Sequence, residues 1–157
     1  MSVGVKWALT EQEAGRPALS LLADVSLPVG DTDFTDDYVN PKLLLLFTNT
    51  LTERLSLTGN VGPKFITLQV AGDKKTVVDL SYTAMLSGSV TERTGWFAEL
   101  FGAFALSETR TGSHFVHAGL TFLARRNLQL DVRAGIGAVA DVPDWLFGAG
   151  LAVRFPR

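Results

Sequence analysis

Apolar and polar residues alternate along most of this chain. In Asn127–Val139, Leu128, Leu130, Val132, Ala134, Ile136 and Ala138 share one parity, and Gln129, Asp131, Arg133, Gly135 and Gly137 take the other. Trp145–Phe155, Val78–Val90, Leu19–Val29 and Val3–Leu9 repeat the pattern, and Leu43–Leu51, Leu55–Val70, Gly95–Leu106 and Ser113–Ala124 show it more weakly. A period of two is the signature of a strand with one apolar face. The pattern therefore predicts nine strands, and no segment of useful length carries a helical period. Leu43–Phe47 is five consecutive apolar residues, so the facing of that strand stays open at this point.

The connections fall into two kinds. Thr52–Arg54, Thr91–Gly95 and Arg125–Asn127 read as tight polar turns. Gly30–Pro41, Val70–Thr76, Ser107–Ser113 and Ala140–Asp144 read as longer loops. The triplet Thr-Glu-Arg occurs twice, at Thr52 and at Thr91, 39 residues apart. Both copies fall at the same end of the expected sheet, one up-strand, one loop and one down-strand apart. Short turns at one end and long loops at the other is the layout of an outer-membrane β-barrel. The expected strands also reach the ~9–11 residues that a tilted membrane-crossing strand needs, against ~5–6 for an ordinary globular strand.

Composition sharpens this. Of 157 residues, 46% are hydrophobic and only 19% charged, below the usual quarter. The polar parity is Ser, Thr, Gly, Asn and Asp with single charges, which suits a confined lumen better than a face in bulk water. Trp7, Trp96, Trp145 and Phe155 fall towards strand ends, where interfacial aromatic girdles occur. A net charge of −2 and the absence of a basic–aromatic patch give no reason to expect nucleic acid. There are no cysteines, which excludes disulfides, thiolate catalysis and cysteine metal sites.

Strand direction adds a further expectation. If Phe155 ends on the periplasmic side, the tight turns lie there too, and Val3–Leu9 runs downward from outside the cell. Nine is odd, whereas single-chain bacterial barrels have even counts. Met1 opens directly on alternating sequence, with no basic n-region and apolar h-region. The expectation is the C-terminal part of a barrel whose signal peptide and an odd number of first strands are missing from this chain. A fragment, a misassigned start and closure by an unusual route all stay open.

The stretches VGVKWAL (Val3–Leu9), GRPALSLLADVSLPVGD (Gly15–Asp31), LSLTGNVG (Leu55–Gly62), GWFAELFGAF (Gly95–Phe104) and NLQLDVRAGIG with PDWLFGAGLAVRFP (Asn127–Pro156) occur in order over nearly the whole chain. Together they resemble the MetA-pathway-of-phenol-degradation family of outer-membrane proteins. The resemblance implies an antiparallel up-and-down transmembrane β-barrel of about twelve strands, nine of them here. It further implies passage of small, aromatic or hydrophobic compounds in the outer membrane of a Gram-negative bacterium. The expected partners are outer-membrane lipid, a small-molecule solute and the barrel assembly machinery. It brings no catalytic residues and no cofactor.

The candidate functional residues are the ionisable groups of the inward parity: Lys6, Asp24, Asp79, Glu99, His117, Asp131, Arg133 and Arg154. Two roles are open for them, a network that pairs across the lumen or a lining that meets the solute. DTDFTDDY, at Asp31–Tyr38, carries four Asp in seven residues but lacks the glycine and glutamate of an EF-hand, so it reads as an acidic surface loop able to cap the outer mouth. His114 and His117 are three apart, hence on opposite faces of a strand and unable to share a metal. Ser113 shares a face with His117 but has no nucleophile-elbow context. The chain is therefore expected to be a passive transporter and not an enzyme. Its rivals are a structural or enzymatic membrane barrel without transport, and a soluble lipocalin-like ligand-binding barrel.

Overall fold

The computed structural model describes residues 1–13, 15–29, 38–70, 72–107, 110–139 and 143–155. Nine strands follow one another: β1 (Ser2–Thr10), β2 (Ala18–Ser26), β3 (Asn40–Thr52), β4 (Leu55–Val70), β5 (Asp73–Ser89), β6 (Thr94–Ala105), β7 (Ser113–Arg125), β8 (Leu128–Gly137) and β9 (Trp145–Val153). They form one sheet in the order of the chain, each strand antiparallel to the last. The sheet is not closed, so β1 and β9 are its edges, as in part of an up-and-down barrel.

Register defines the two faces. Asp24 pairs with Lys42, Lys42 with Lys64, Lys64 with Asp79, and Asp79 with Ala105, which fixes one inner row across five strands. The buried residues Asn40, Leu44, Ile66, Val77, Asp79 and His117 all have the parity of this inner face. Every exposed large apolar side chain inside a strand has the other parity, from Val3 and Trp7 on β1 to Phe147 and Leu151 on β9. The five-residue apolar run divides accordingly. Leu43 and Leu45 point outward, each 41% exposed, while Leu44 is buried on the inner face.

The two Thr-Glu-Arg copies perform the same local task. The Thr52 hydroxyl accepts the Arg54 N–H at 3.2 Å, and the Thr91 hydroxyl accepts the Arg93 N–H at 3.2 Å and the Thr94 N–H at 2.9 Å. A side-chain oxygen that takes up turn donors is why threonine suits this position. The carbonyl of each arginine then accepts from the neighbouring hairpin: Ser89 N–H donates to Arg54, and Leu123 N–H donates to Arg93. Arg154 N–H to Asn127 continues the series at the third turn. The triplet thus caps its own turn and links it to the next one.

Two connections depart from the sequence expectation. Residues 70–76 were expected to form a loop, but β4 and β5 run on until Val70 pairs with Asp73. Gly72, with φ 93°, supplies the left-handed backbone that so tight a turn requires. At the opposite end, residues 11–17 form a longer connection among the short turns. There Gln12 bonds both backbone groups of Thr50, accepting its N–H at 2.9 Å and donating to its carbonyl at 3.2 Å. β3 extends past the start of β2, and the glutamine amide completes the ladder that β2 leaves bare. The acidic loop at 31–37 lies outside the described residues.

Thr91→Val removes the acceptor for two turn N–H groups and is expected to cost about 0.5–1.5 kcal/mol, with Thr91→Ser close to neutral. Urea titration in detergent micelles checks this through the unfolding midpoint.

Candidate functional site

All eight candidate residues lie on the inner face or its continuation past β9, but they divide into two groups. Asp24, Asp79, Glu99 and His117 are paired. Asp24 meets its cross-strand neighbour Lys42 at 3.2 Å. Asp79, which is buried, takes Arg110 from the β6–β7 connection at 3.3 Å. Glu99 and His117 face each other on β6 and β7 and bond through Oε2 and Nε2. Lys6, Asp131, Arg133 and Arg154 make no such contact among the described residues. Four of the eight are therefore tied to neighbouring elements of the sheet over β2–β7, and the other four, on β1, β8 and beyond β9, have no ion pair among the described residues.

Four large inner side chains of β6–β8 share one construction. Phe97 pairs with Gly119, His117 with Gly135, Arg133 with Gly148 and Asp131 with Gly150. In each case the side chain lies over the glycine of the next strand, in the space a Cβ would fill. The four overlap like tiles leaning towards β9. These glycines are therefore seats for the groups the site displays. His117 is held further by the rings of Phe101, at 5.0 Å, and Phe97, at 5.6 Å, and Phe101 stacks on Phe115 at 5.1 Å.

Two of the cavities that the described residues form on this face adjoin one another. One, of about 580 Å³, is lined by Met85, Phe97, Glu99, Asp131 and Arg133, with Glu53 and Arg54 from the β3–β4 turn. The other, of about 540 Å³, is lined by Lys6, Ser20, Leu46, Asn60, Met85 and Glu99. Each mixes apolar floor with fixed charge of both signs.

Lys42, Lys64 and Arg110 belong to the charged inner face and were not anticipated. Lys42 and Lys64 each follow a proline inside a strand, Pro41 and Pro63, where alternation is hard to trust. Lys42 was nevertheless readable two residues before Leu44, once that leucine's facing was known. Arg110 comes from a loop, and no strand period points to it.

The two histidines lie on opposite faces, as their spacing requires. His114 is on the outer face, where its Nδ1 and the Tyr82 hydroxyl bond at 2.8 Å. Tyr82, Gly102 and His114 form one row across three strands, so the missing side chain of Gly102 lets the outer two meet. Phe104 covers the pair, with its ring 5.2 Å from Tyr82 and 4.7 Å from His114. Two polar rings thus satisfy each other on an otherwise apolar surface. Among the described residues no cluster of three or more metal-ligating side chains forms.

Gly135→Val and Gly148→Val are expected to separate structural seats from adaptable ones. At Gly135 the new side chain meets the His117 Cβ and the Val116 backbone, so overpacking should cost about 1–3 kcal/mol. At Gly148 the three atoms nearest the new Cβ all belong to the flexible Arg133 side chain, and the change should stay within about 0.5 kcal/mol. Denaturant unfolding of the two variants in micelles makes the comparison.

The family model described as "Putative MetA-pathway of phenol degradation" matches residues 1–155, and the chain belongs to that family. No curated protein matches the chain. The family description relates it to phenol degradation.

Proposed function

We propose that this member of the phenol-degradation family is an outer-membrane β-barrel chain that passes small solutes along its inner face without an energy source. The observation that carries the reading is the inverted distribution of side chains. Asn40, Asp79 and His117 are buried on the inner face, while the outer face exposes Val, Leu, Phe and Trp on strand after strand. Burying one such apolar side chain is worth about 1.5–3 kcal/mol. A face of this size left in water forgoes on the order of tens of kcal/mol, and contiguous exposed patches of that extent mark a lipid or protein contact. Hydrocarbon accepts that face without needing a protein partner.

Other features support the same reading. The strands are 9–17 residues long, enough for tilted spans of ~9–11 residues. In lipid the backbone must satisfy its own hydrogen bonds, which an up-and-down sheet does everywhere except at its edges. β1 and β9 run in the same direction, so their direct pairing would be parallel, and an odd number of intervening strands would restore antiparallel pairing. The tight turns at 53–54, 90–93 and 126–127 would face the periplasm, and the connections at 27–39, 106–112 and 138–144 the outside. The unpaired charges Lys6, Asp131 and Arg133 and the partly exposed Glu99 would meet the solute at the cavities, while the pairs of Asp24 and Asp79 hold the wall. No cofactor and no catalytic step enters this function.

The test is direct. The protein should sediment with outer membranes and change gel mobility on heating, and liposomes containing it should swell in small neutral solutes, phenol among them, faster than empty liposomes. Sedimentation without permeation would leave a membrane barrel that does not transport. Recovery in the soluble fraction with no heat-dependent mobility would leave a soluble ligand-binding barrel.

A further inference from the structure

The two inner-face cavities share two lining residues, Met85 and Glu99. The two cavities therefore adjoin at these side chains, and a solute crossing directly between them meets both. They are cross-strand neighbours on β5 and β6, and Glu99 is in turn paired with His117 on β7. His117 is 6% exposed, and the rings of Phe97 and Phe101 flank it. The Glu99 side chain remains 22% exposed. The carboxylate is thus held by one buried partner and still open to the passage.

Its surroundings favour one kind of charge. Aromatic faces carry the negative part of the ring quadrupole and attract cations. Met85 adds a polarisable apolar contact. Arg54 and Arg133 in the first cavity oppose this preference, as does Lys6 in the second, but all three are exposed, where water and salt screen them. Glu53 and Asp131 further offset the two arginines in the first cavity. Glu99 is the only charged side chain common to both cavities and is more enclosed than those cations, so its field acts at shorter range and in a less polar setting.

We infer that Glu99 is the specificity-determining residue of the passage, and that it selects small organic cations with an apolar body over anions of the same shape. This rests on the conduction reading given above. Phenethylammonium and phenylacetate serve as probes, because they share a phenyl ring and a two-carbon chain and differ in the sign of the end group.

The protein is reconstituted in planar bilayers, and reversal potentials in gradients of the two salts give their permeability ratio. The wild type is expected to favour phenethylammonium at least about fivefold. Glu99→Gln should bring the ratio close to one, Glu99→Lys should reverse it, and Glu99→Asp should keep most of it. Glu92→Gln, on the exposed 90–93 turn and lining neither cavity, should leave it near the wild-type value. Heat-dependent gel mobility establishes that each variant has folded. A wild-type ratio at or below one overturns the inference even if Glu99→Gln fails to fold. A Glu99→Gln ratio equal to the wild type also overturns it, and both outcomes leave conduction itself intact. Absence of any wild-type current overturns the conduction reading and this inference with it.

Discussion

Side chains on a strand alternate between two faces, and a slip of one residue against the neighbouring strand would exchange every one of them. In this protein the consequences of a slip would be severe, because the faces are so unlike. The inner face holds a buried aspartate, a buried histidine and a row of cross-strand charges; the outer face is nearly all apolar. Shifting one pairing would put Asp79 or His117 outside and bring Leu80 or Leu120 in. Register is therefore enforced from both sides. The inner pairs Asp24–Lys42 and Glu99–His117 add a direct check, since each joins residues directly opposite on adjacent strands. The capped turns reinforce it where a slip would start, because Thr52 and Thr91 fix the count of residues between strands.

Much of this fold was legible because period two is a local property. Each strand announces itself without reference to any other, and all nine were readable, including the exact extent of Leu55–Val70. The turn at Gly72 was misread for a related reason. Lys74 and Lys75 break the alternation just after the glycine, so the segment looks like loop, although hydrogen bonding to β4 holds it as strand. The facing of Leu43–Phe47 could not be read at all, since an unbroken apolar run carries no parity. It was settled by pairing with β2 and β4, which is tertiary information.

The site was legible to a lesser degree. Parity placed all eight ionisable residues on the inner side, but parity is silent on partners. Whether Asp24 meets a cation depends on register with β3, and whether Asp79 does depends on a loop residue, Arg110. The glycines were the least readable part. In the sequence Gly135, Gly148 and Gly150 are only small residues of the polar parity, yet their places opposite His117, Arg133 and Asp131 give them a specific role. Only the alignment of one strand against the next reveals that a small residue exists to seat a large neighbour.

The distribution of paired and unpaired charge follows the shape of the sheet. Pairs occur between β2 and β3, between β6 and β7, and between β5 and the β6–β7 connection. Lys6, Asp131, Arg133 and Arg154 lie on the edge strand β1, on β8, and just past β9. Lys64 is the exception: it is half-buried on β4, between Lys42 and Asp79, both of which are committed to other partners. Lys6, on an edge strand, has an inner-face neighbour on one side only, and the cross-strand neighbours of Asp131 and Arg133 are Thr121, Gly150, Gly119 and Gly148, none of them charged. These charges therefore keep their capacity for a partner from outside the sheet. A solute that carries charge would compete for the same capacity. Cross-strand pairing thus decides which inner-face charges are held and which keep a capacity for another partner, and Glu99 belongs to both sets, bonded to His117 and still partly exposed.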